Sequence, residues 1–417
     1  MLDRVLGTIS RYNMLPKGAR AIIAVSAGAD SVCLLHVLNE LFPHSIAGIA
    51  HFNHKWRGQD SDDDEQFVAG LASQLNLPFF RAEAPPRPTE ANREQAARRD
   101  RQAFFKQLNS TIATAHTRDD QAETVLFRLL RGSGLAGLAA IPPTSTLVPS
   151  TFSPTSTPPA STPNPDRMGG DRIIRPLIEV TRHEIQTFLR THNIPWRDDA
   201  SNRDPAYARN RIRHHLLPQL ARDWNPQISD SLAKLADLAY EEERYWTAEI
   251  DRIAATELTA SSNGIELRVS SLESLPRAVA RRLIRRAIAL AKGDLRRIDY
   301  DHIEAVFHLQ RRLKLPSLTV TKSLDWLRFA PPSAPDPVEP LEITSSGVFP
   351  APDGLSQICV DMAQPGPESL SNGCVTLRVE SLPLILRGWQ PGDHYRPLGQ
   401  SRDYKVQEMF QRLRVPS

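Results

Sequence analysis

At residues 26–31 an apolar run ends in Ser-Ala-Gly-Ala-Asp-Ser, and a second apolar run, VCLLHVL, follows at once. A strand that stops at small residues where a helix begins leaves unpaired backbone N–H groups at the positive end of the helix dipole. Small side chains let a polyphosphate reach that backbone. Ser26, Ala27, Gly28, Ala29, Asp30 and Ser31 are therefore a candidate phosphate cradle, with Asp30 and the Ser31 hydroxyl as candidate partners for magnesium. The alternative is an ordinary helix start capped by Asp or Ser. It is not the Walker pattern, because no Gly-Lys-Ser/Thr follows. Cradles of this kind usually want glycine at the second position. A left-handed backbone would cost Ala27 about 1–2 kcal/mol, so a negative φ is expected there, with Gly28 supplying the close approach.

Two further junctions carry reactive residue types. In HFNHKWRG (51–58), His51, His54 and Arg57 could bind metal, bind phosphate or be polar loop residues, and no third metal ligand is near. In TAHTRDDQAETVLFRLLRGSG (114–134), His116 closes an apolar run, and Asp119, Asp120 and Glu123 open a helix. Acids in a first turn are favourable caps. A histidine with acids beside a phosphate cradle is also what magnesium-dependent phosphoryl or nucleotidyl chemistry requires.

The elements that position these residues alternate between short apolar runs and helical patterns from residue 21 to about 141, and RIIRPLIEV and TRHEIQTFLRTH extend the series. Such alternation reads as a doubly wound, mostly parallel α/β sheet, in which ligands sit outside the carboxyl ends of the strands. A catalytic domain over 1–218 is expected, interrupted at 142–172 by a disordered Pro/Ser/Thr-rich insertion. A helical domain over 225–330, a Pro-rich linker at 331–352 and a small α+β domain over 353–417 follow. The helical part packs Arg277, Arg281, Arg282, Arg285 and Arg286 into about three turns. Among 417 residues with net charge +3, the three cysteines are far apart, which argues against a zinc ribbon or disulfide framework. No leader and no membrane-length apolar run is apparent, so a cytoplasmic protein is expected.

Taken together, the junctions resemble the N-type ATP pyrophosphatase (PP-loop) superfamily, whose loop commonly reads S-G-G-x-D-S. More narrowly they resemble the tRNA(Ile)-lysidine synthetase family. His51, Asn53, His54 and Arg57 match its H-x-N-H-x-L-R segment, with Trp56 in place of leucine. Ala115, His116, Asp119, Asp120, Gln121, Glu123 and Thr124 match A-H-x-x-D-D-Q-x-E-T. Arg175, Pro176 and Leu177 match R-P-L; Asp199, Ser201, Asn202, Arg209, Asn210, Ile212 and Arg213 match D-x-S-N…R-N-x-I-R. Gly392, Asp393, Pro397 and Gly399 extend the match more weakly.

The resemblance implies an adenine nucleotide alpha hydrolase-like fold. It also implies an ATP- and Mg2+-dependent ligase that joins free L-lysine to the wobble cytidine of tRNA(Ile) with a CAU anticodon. By the same resemblance Ser26–Ser31, His51 and His116 bind ATP. Asp30, His116, Asp119, Asp120 and Glu123 are catalytic, and Asp30 and Asp119 hold metal. His54, Arg57, Arg209, Asn210, Arg213, Arg282 and Arg286 contact tRNA. A solvated helix face, or acidic partners within the chain, is the alternative for these arginines. The resemblance implies no membrane partner and leaves a homodimer open. Longer family members continue past a segment like YKVQEMFQRLRVPS, where this chain stops. Two rivals are a tRNA thiolase of the same superfamily and a non-catalytic tRNA-binding homologue; thiolases that use protein thiols or a cluster need paired cysteines, which are lacking.

Overall fold

The computed structural model describes residues 1–56, 58–85, 93–147, 172–197, 208–261, 264–332, 341–350, 357–360, 383–387, 392–396 and 400–413. Arg57, Asp199, Ser201, Asn202, Pro397, Gly399 and most of the 142–172 segment lie outside them. The chain divides into two units, one built by Met1–Thr151 with Pro159–Glu249, the other chiefly by Ile250–Ser417.

In the first unit α1 (Leu2–Arg11) leads to β1 (Ala21–Ala24), α2 (Ala29–Leu41), β2 (Ile46–Asn53), α3 (Gln59–Gln74), β3 (Phe79–Glu83), α4 (Arg93–Gln107) and β4 (Thr111–Ala113). Then come α5 (Arg118–Leu130), the single turn α6 (Leu135–Leu138), β5 (Thr144–Thr146), β6 (Arg172–Ile174) and α7 (Arg182–Thr191). α8 (Ala208–Arg211), a π-helical turn at Ile212–Leu216 and α9 (Leu217–Asp223) precede the long α10 (Ile228–Glu257), within which the division falls.

The strands form one sheet in the order β3-β2-β1-β4-β6-β5, parallel except for β5, which pairs antiparallel with β6. Thr144–Thr146, expected to be part of a disordered insertion, is thus an edge strand, because Ser145 and its neighbours pair with the backbone of β6. The inner strands β1 and β2 are apolar on both sides because both faces are covered. α2 buries Val32, Cys33, Leu34, Leu35, Val37 and Leu38 in a core shared with α1 and α7. On the other face, Phe104 and Phe105 of α4 pack on Ile22, Ala50 and Ile112. Strand order reverses between β1 and β4, so the loops after these two strands open into one crevice, the switch point where ligands bind in such sheets.

In the second unit β7 (Leu258–Ser261), β8 (Gly264–Arg268), α11 (Val269–Ser274), α12 (Arg277–Lys292), α13 (Tyr300–Phe307), β9 (Arg312–Leu315), β10 (Leu318–Ser323) and β11 (Trp326–Ala330) build an antiparallel sheet ordered β7-β8-β11-β10-β9. The helical domain expected over 225–330 is therefore helical in α10, α12 and α13 but also contains five strands. Leu283, Ile284, Ala287 and Ile288 of α12 share a core with Leu267, Val320, Leu327 and Phe329 of that sheet. Gly264 holds a positive φ, and a side chain there would collide with the Phe329 carbonyl. Beyond residue 340 come β12 (Leu341–Ile343), β13 (Gly347–Pro350), β14 (Gln357–Val360), β15 (Leu384–Leu386), β16 (His394–Tyr395), β17 (Tyr404–Lys405) and α14 (Val406–Leu413); the strands form two-stranded pairs. Among the described residues no helix is long and apolar enough to cross a membrane.

The loop after β1 departs from expectation at one position. Ala27 has φ 71°, not a negative value, and Gly28 has φ −71°. The Ala27 carbonyl accepts the Arg197 N–H at 3.0 Å, and its methyl is fully buried in the core. The left-handed backbone thus turns the methyl inward, into the core cluster. Strain of about 1–2 kcal/mol is offset by burial of the methyl, about 0.8 kcal/mol. Glycine would relieve the strain, lose the methyl and add about 0.5–1 kcal/mol of unfolded-state entropy. Ala27→Gly should therefore stay within about 1 kcal/mol of the parent in urea unfolding, whereas Ala27→Val, β-branched at positive φ in a packed site, should lose more than about 2 kcal/mol.

Candidate active site

The cradle is shaped by Ser31. Its buried hydroxyl accepts the Ser26 N–H at 3.0 Å and donates to the Gly28 carbonyl at 2.9 Å, with the Ser26 hydroxyl 3.3 Å away. Ser31 is thus occupied in holding the loop closed. Gly28 is the N-cap of α2, and no side chain caps the helix. The leading N–H groups of α2 therefore face the crevice without a built-in acceptor, as an anion site requires. A methyl on Gly28 would meet only the Ser26 hydroxyl, at an ordinary 3.7 Å.

At the end of β2, the buried His51 places Nδ1 2.8 Å from the Val25 carbonyl. A carbonyl only accepts, so Nδ1 carries the proton, and in the neutral ring Nε2 is an acceptor. Asn53 is a structural clamp: its amide donates to Asp62 and Glu65, and its oxygen accepts the Lys55 N–H. His54 lies between the rings of Phe52 and Trp56.

Across the crevice Thr117 caps α5 in a capping box with Asp120. This fixes Asp119, Asp120 and Glu123 on the first turns, where they meet three arginines. Glu123, 1% exposed, accepts Arg182 Nη1 at 2.7 Å and Arg213 Nε at 2.7 Å, with Arg209 Nε 3.6 Å away. Asp120 accepts Arg182 Nη2, and Asp119 accepts the Arg182 backbone N–H at 2.8 Å. Arg182 Nε lies 3.5 Å from Asp30. One arginine thus touches the cradle acid and all three acids of α5.

Burial pushes the Asp30 carboxyl up to about 6, opposed by Arg182 and reinforced by Asp120. Burial acts on Asp120 in the same sense, but Arg182, His116 and Arg209 pull it down to about 2. His116 is held at about 3, first by burial and then by Arg175, so its ring is neutral; Nδ1 lies 3.1 Å from the Thr114 hydroxyl. Burial works against the charge on Arg182, yet Asp120, Glu123 and Asp30 outweigh it and raise its pKa.

The structure therefore gathers Asp30, His116, Asp119, Asp120, Glu123, Arg209 and Arg213 at one crevice. Arg209 and Arg213 are turned onto the acids, with Arg209 also donating to Thr124 at 2.8 Å. Asn210 is on α8 and Arg282 on α12, while Arg286 pairs with Asp251 at 2.8 Å. Among the described residues no group of three or more His, Cys, Asp or Glu forms a metal cluster. Sequence reasoning missed Arg182. Its signal was the capping box Thr181…Glu184, which marks a helix start at the next strand junction, with an arginine in the first turn, where the dipole disfavours a cation.

Two outcomes follow for the protein without ligand. Glu123→Ala leaves guanidiniums buried without their partner and should cost about 3–5 kcal/mol in denaturant unfolding. Because the folded pKa of Asp30 is raised above its unfolded value, its contribution is most favourable below about pH 4 and declines as pH rises to about 6. Asp30→Asn should then stabilise the protein on the order of 2 kcal/mol at pH 7.5, discounted for partial solvation, and by nearly nothing at pH 4. An equal gain at both pH values would refute the buried-carboxylate account.

A PP-loop domain model matches residues 5–220. The tRNA(Ile)-lysidine synthase of Solibacter usitatus is 41% identical over 97% of this chain and 90% of its own length. That of Geobacter sulfurreducens is 36% identical over 100% and 88%. Among solved structures, the U34-tRNA thiolase NcsA of Methanococcus maripaludis aligns at TM-score 0.44 and 14% identity, covering 58% of this chain and 77% of its own. Matched by the PP-loop domain model over more than half of its length and by these relatives over nearly all of it, the chain belongs to the tRNA(Ile)-lysidine synthase family.

Proposed function

We propose that the chain uses ATP to join L-lysine to carbon 2 of the wobble cytidine of tRNA(Ile) bearing a CAU anticodon. The cytosine carbonyl oxygen attacks the α-phosphorus and pyrophosphate leaves; the lysine ε-amine then attacks carbon 2 and AMP leaves. A cytoplasmic site of action follows from that substrate. The observation that carries the assignment of residues is Arg182, which ties the cradle acid Asp30 to Asp119, Asp120 and Glu123.

The N–H groups of α2 and the Ser26–Ser31 loop receive the leaving pyrophosphate, where charge develops. A neutral His116 donates a ring N–H to the α-phosphate; with a pKa of about 3 it does not serve as a base near neutral pH. His51 Nε2 accepts from the nucleotide, for instance from an adenine amino group. Asp30 and Asp119 sit on one arginine, and two carboxylates with phosphate oxygens suit Mg2+. When bound there, magnesium would neutralise polyphosphate charge. Four carboxylates facing three guanidiniums leave a net negative site, which suits a lysine ammonium. The acids of α5 are the groups that ammonium would meet first.

Incubation with ATP, magnesium, radiolabelled lysine and tRNA(Ile)(CAU) transcript should give lysine incorporation that depends on the wobble cytidine. Its absence with folded protein would sink the reading. Asp30→Ala should abolish tRNA-dependent pyrophosphate release while leaving tRNA bound, and kcat/KM for ATP in the parent should fall below about pH 6 as Asp30 protonates. Gly28→Ala should leave the unfolding midpoint unchanged and raise KM for ATP at least fivefold, since only phosphate competes for the space its methyl would fill.

A further inference from the structure

A row of rings leads from the core to the surface at the carboxyl edge of β2. Phe104 meets Phe52 at 5.9 Å between centroids, Phe52 meets His54 at 4.8 Å, and His54 meets Trp56 at 5.0 Å. The row ends at Trp56, which is 37% exposed. Burial, then Arg101, pushes His54 down to about 4, so it stacks as a neutral ring; its buried Nδ1 has no hydrogen-bond partner.

α4 carries Phe104 on its buried face and connects two parallel strands, so it runs against them and begins at the carboxyl edge. Arg101 precedes Phe104 by three residues, and Arg98 precedes Arg101 by three, so Arg101 flanks Phe104 and Arg98 lies about a third of a turn round from it. They stand about 4.5 and 9 Å nearer the edge. Both keep exposed surface, although Arg101 sits in a crowded recess that, with Arg98 and Arg209, lowers its pKa. Neither forms an ion pair among the described residues. Arg98 also bears on Arg175, a side chain 8% exposed whose Nε is buried without a partner. Arg98, Arg101 and Arg175 crowd one another, with Asp100 the acid that also bears on His54, and that excess of positive charge makes a site for an anion supplied from outside. The neighbouring Arg182, Arg209 and Arg213 contrast with them, since each already holds a carboxylate.

We propose that the outer end of α4 and Trp56 together hold the anticodon loop, Arg98 and Arg101 taking backbone phosphates while the Trp56 indole stacks on an unpaired base. The proposal rests on tRNA being the substrate. It gives a role to the tryptophan that stands where the family segment has leucine.

The test measures Kd of the full chain for tRNA(Ile)(CAU) transcript by filter binding at several salt concentrations. Arg98→Gln and Arg101→Gln should each weaken binding and lower the slope of log K against log salt by about 0.7–0.9. Trp56→Leu should weaken binding about tenfold with the slope unchanged, and Trp56→Phe should restore most of the loss. KM for ATP should stay within about twofold in all four, a bound set by the expectation that none touches nucleotide. Unchanged Kd and slope in the variants, with a parent that binds, would overturn the proposal and leave the substrate reading intact. Parallel loss of ATP affinity would also overturn it, by placing these residues in the nucleotide site or the core. A folded parent that binds no transcript would overturn both.

Discussion

The active crevice depends on one buried carboxylate. Glu123 is almost without solvent, and an isolated charge there would be strongly unfavourable. It is tolerable because Arg182, from the first turn of α7, and Arg213, from the π-helical turn before α9, reach it at 2.7 Å. Those contacts run between segments separated by 59 and 90 residues. Such a pair contributes little net stability when complete and a large penalty when broken. Its main effect is therefore positional: it holds α5, α7 and the 208–216 segment in one arrangement around the cradle.

The same arrangement sets the protonation states the chemistry needs. Arg182 is shared, so Asp120 is held ionised, while Asp30, farther from the guanidinium, stays close to protonation. A carboxyl poised near 6 is mostly ionised at pH 7.5 and protonates as the pH falls below 6, and a cation beside it would favour the ionised form, which couples its ionisation to the binding of substrate and metal. His116, kept neutral first by burial and then by Arg175, can act as a donor without bringing a further positive charge. Strand order explains why these groups meet at all: β1 and β4 are neighbours at the reversal of the sheet, although their loops are about 90 residues apart in sequence.

Much of this was legible in the sequence. The apolar runs at 21–25 and 111–115 and the helical patterns between them implied a parallel sheet, and the cradle and the His116–Glu123 segment followed from residue type at strand ends. Ala27 was misjudged because propensity opposes a left-handed alanine, whereas the turn geometry and the Arg197 contact to its carbonyl impose one. Arg209 and Arg213 are expected as RNA contacts from residue type and the resemblance, and the acids they meet in the structure lie more than 80 residues away, out of reach of local reading. The five strands between residues 258 and 330 were hidden because they are only four to six residues long and sit among strong helical periodicities.

On the arginine-rich segments the pairing of each guanidinium decides how much charge is left for a phosphate. On α12, Arg277 and Arg281 converge on Glu304, and Arg286 is held by Asp251. Arg277 also lies over the Phe307 ring at 3.6 Å and Arg281 over Tyr300 at 5.2 Å. At these three positions a phosphate would have to compete with a carboxylate for the guanidinium to bind. Arg98 and Arg101 have no such competitor among the described residues and crowd one another instead, a repulsion that an incoming phosphate relieves. Charge that is left uncompensated beside an aromatic surface marks where a polyanion gains most on binding, and in the first unit that place is the carboxyl edge beside Trp56.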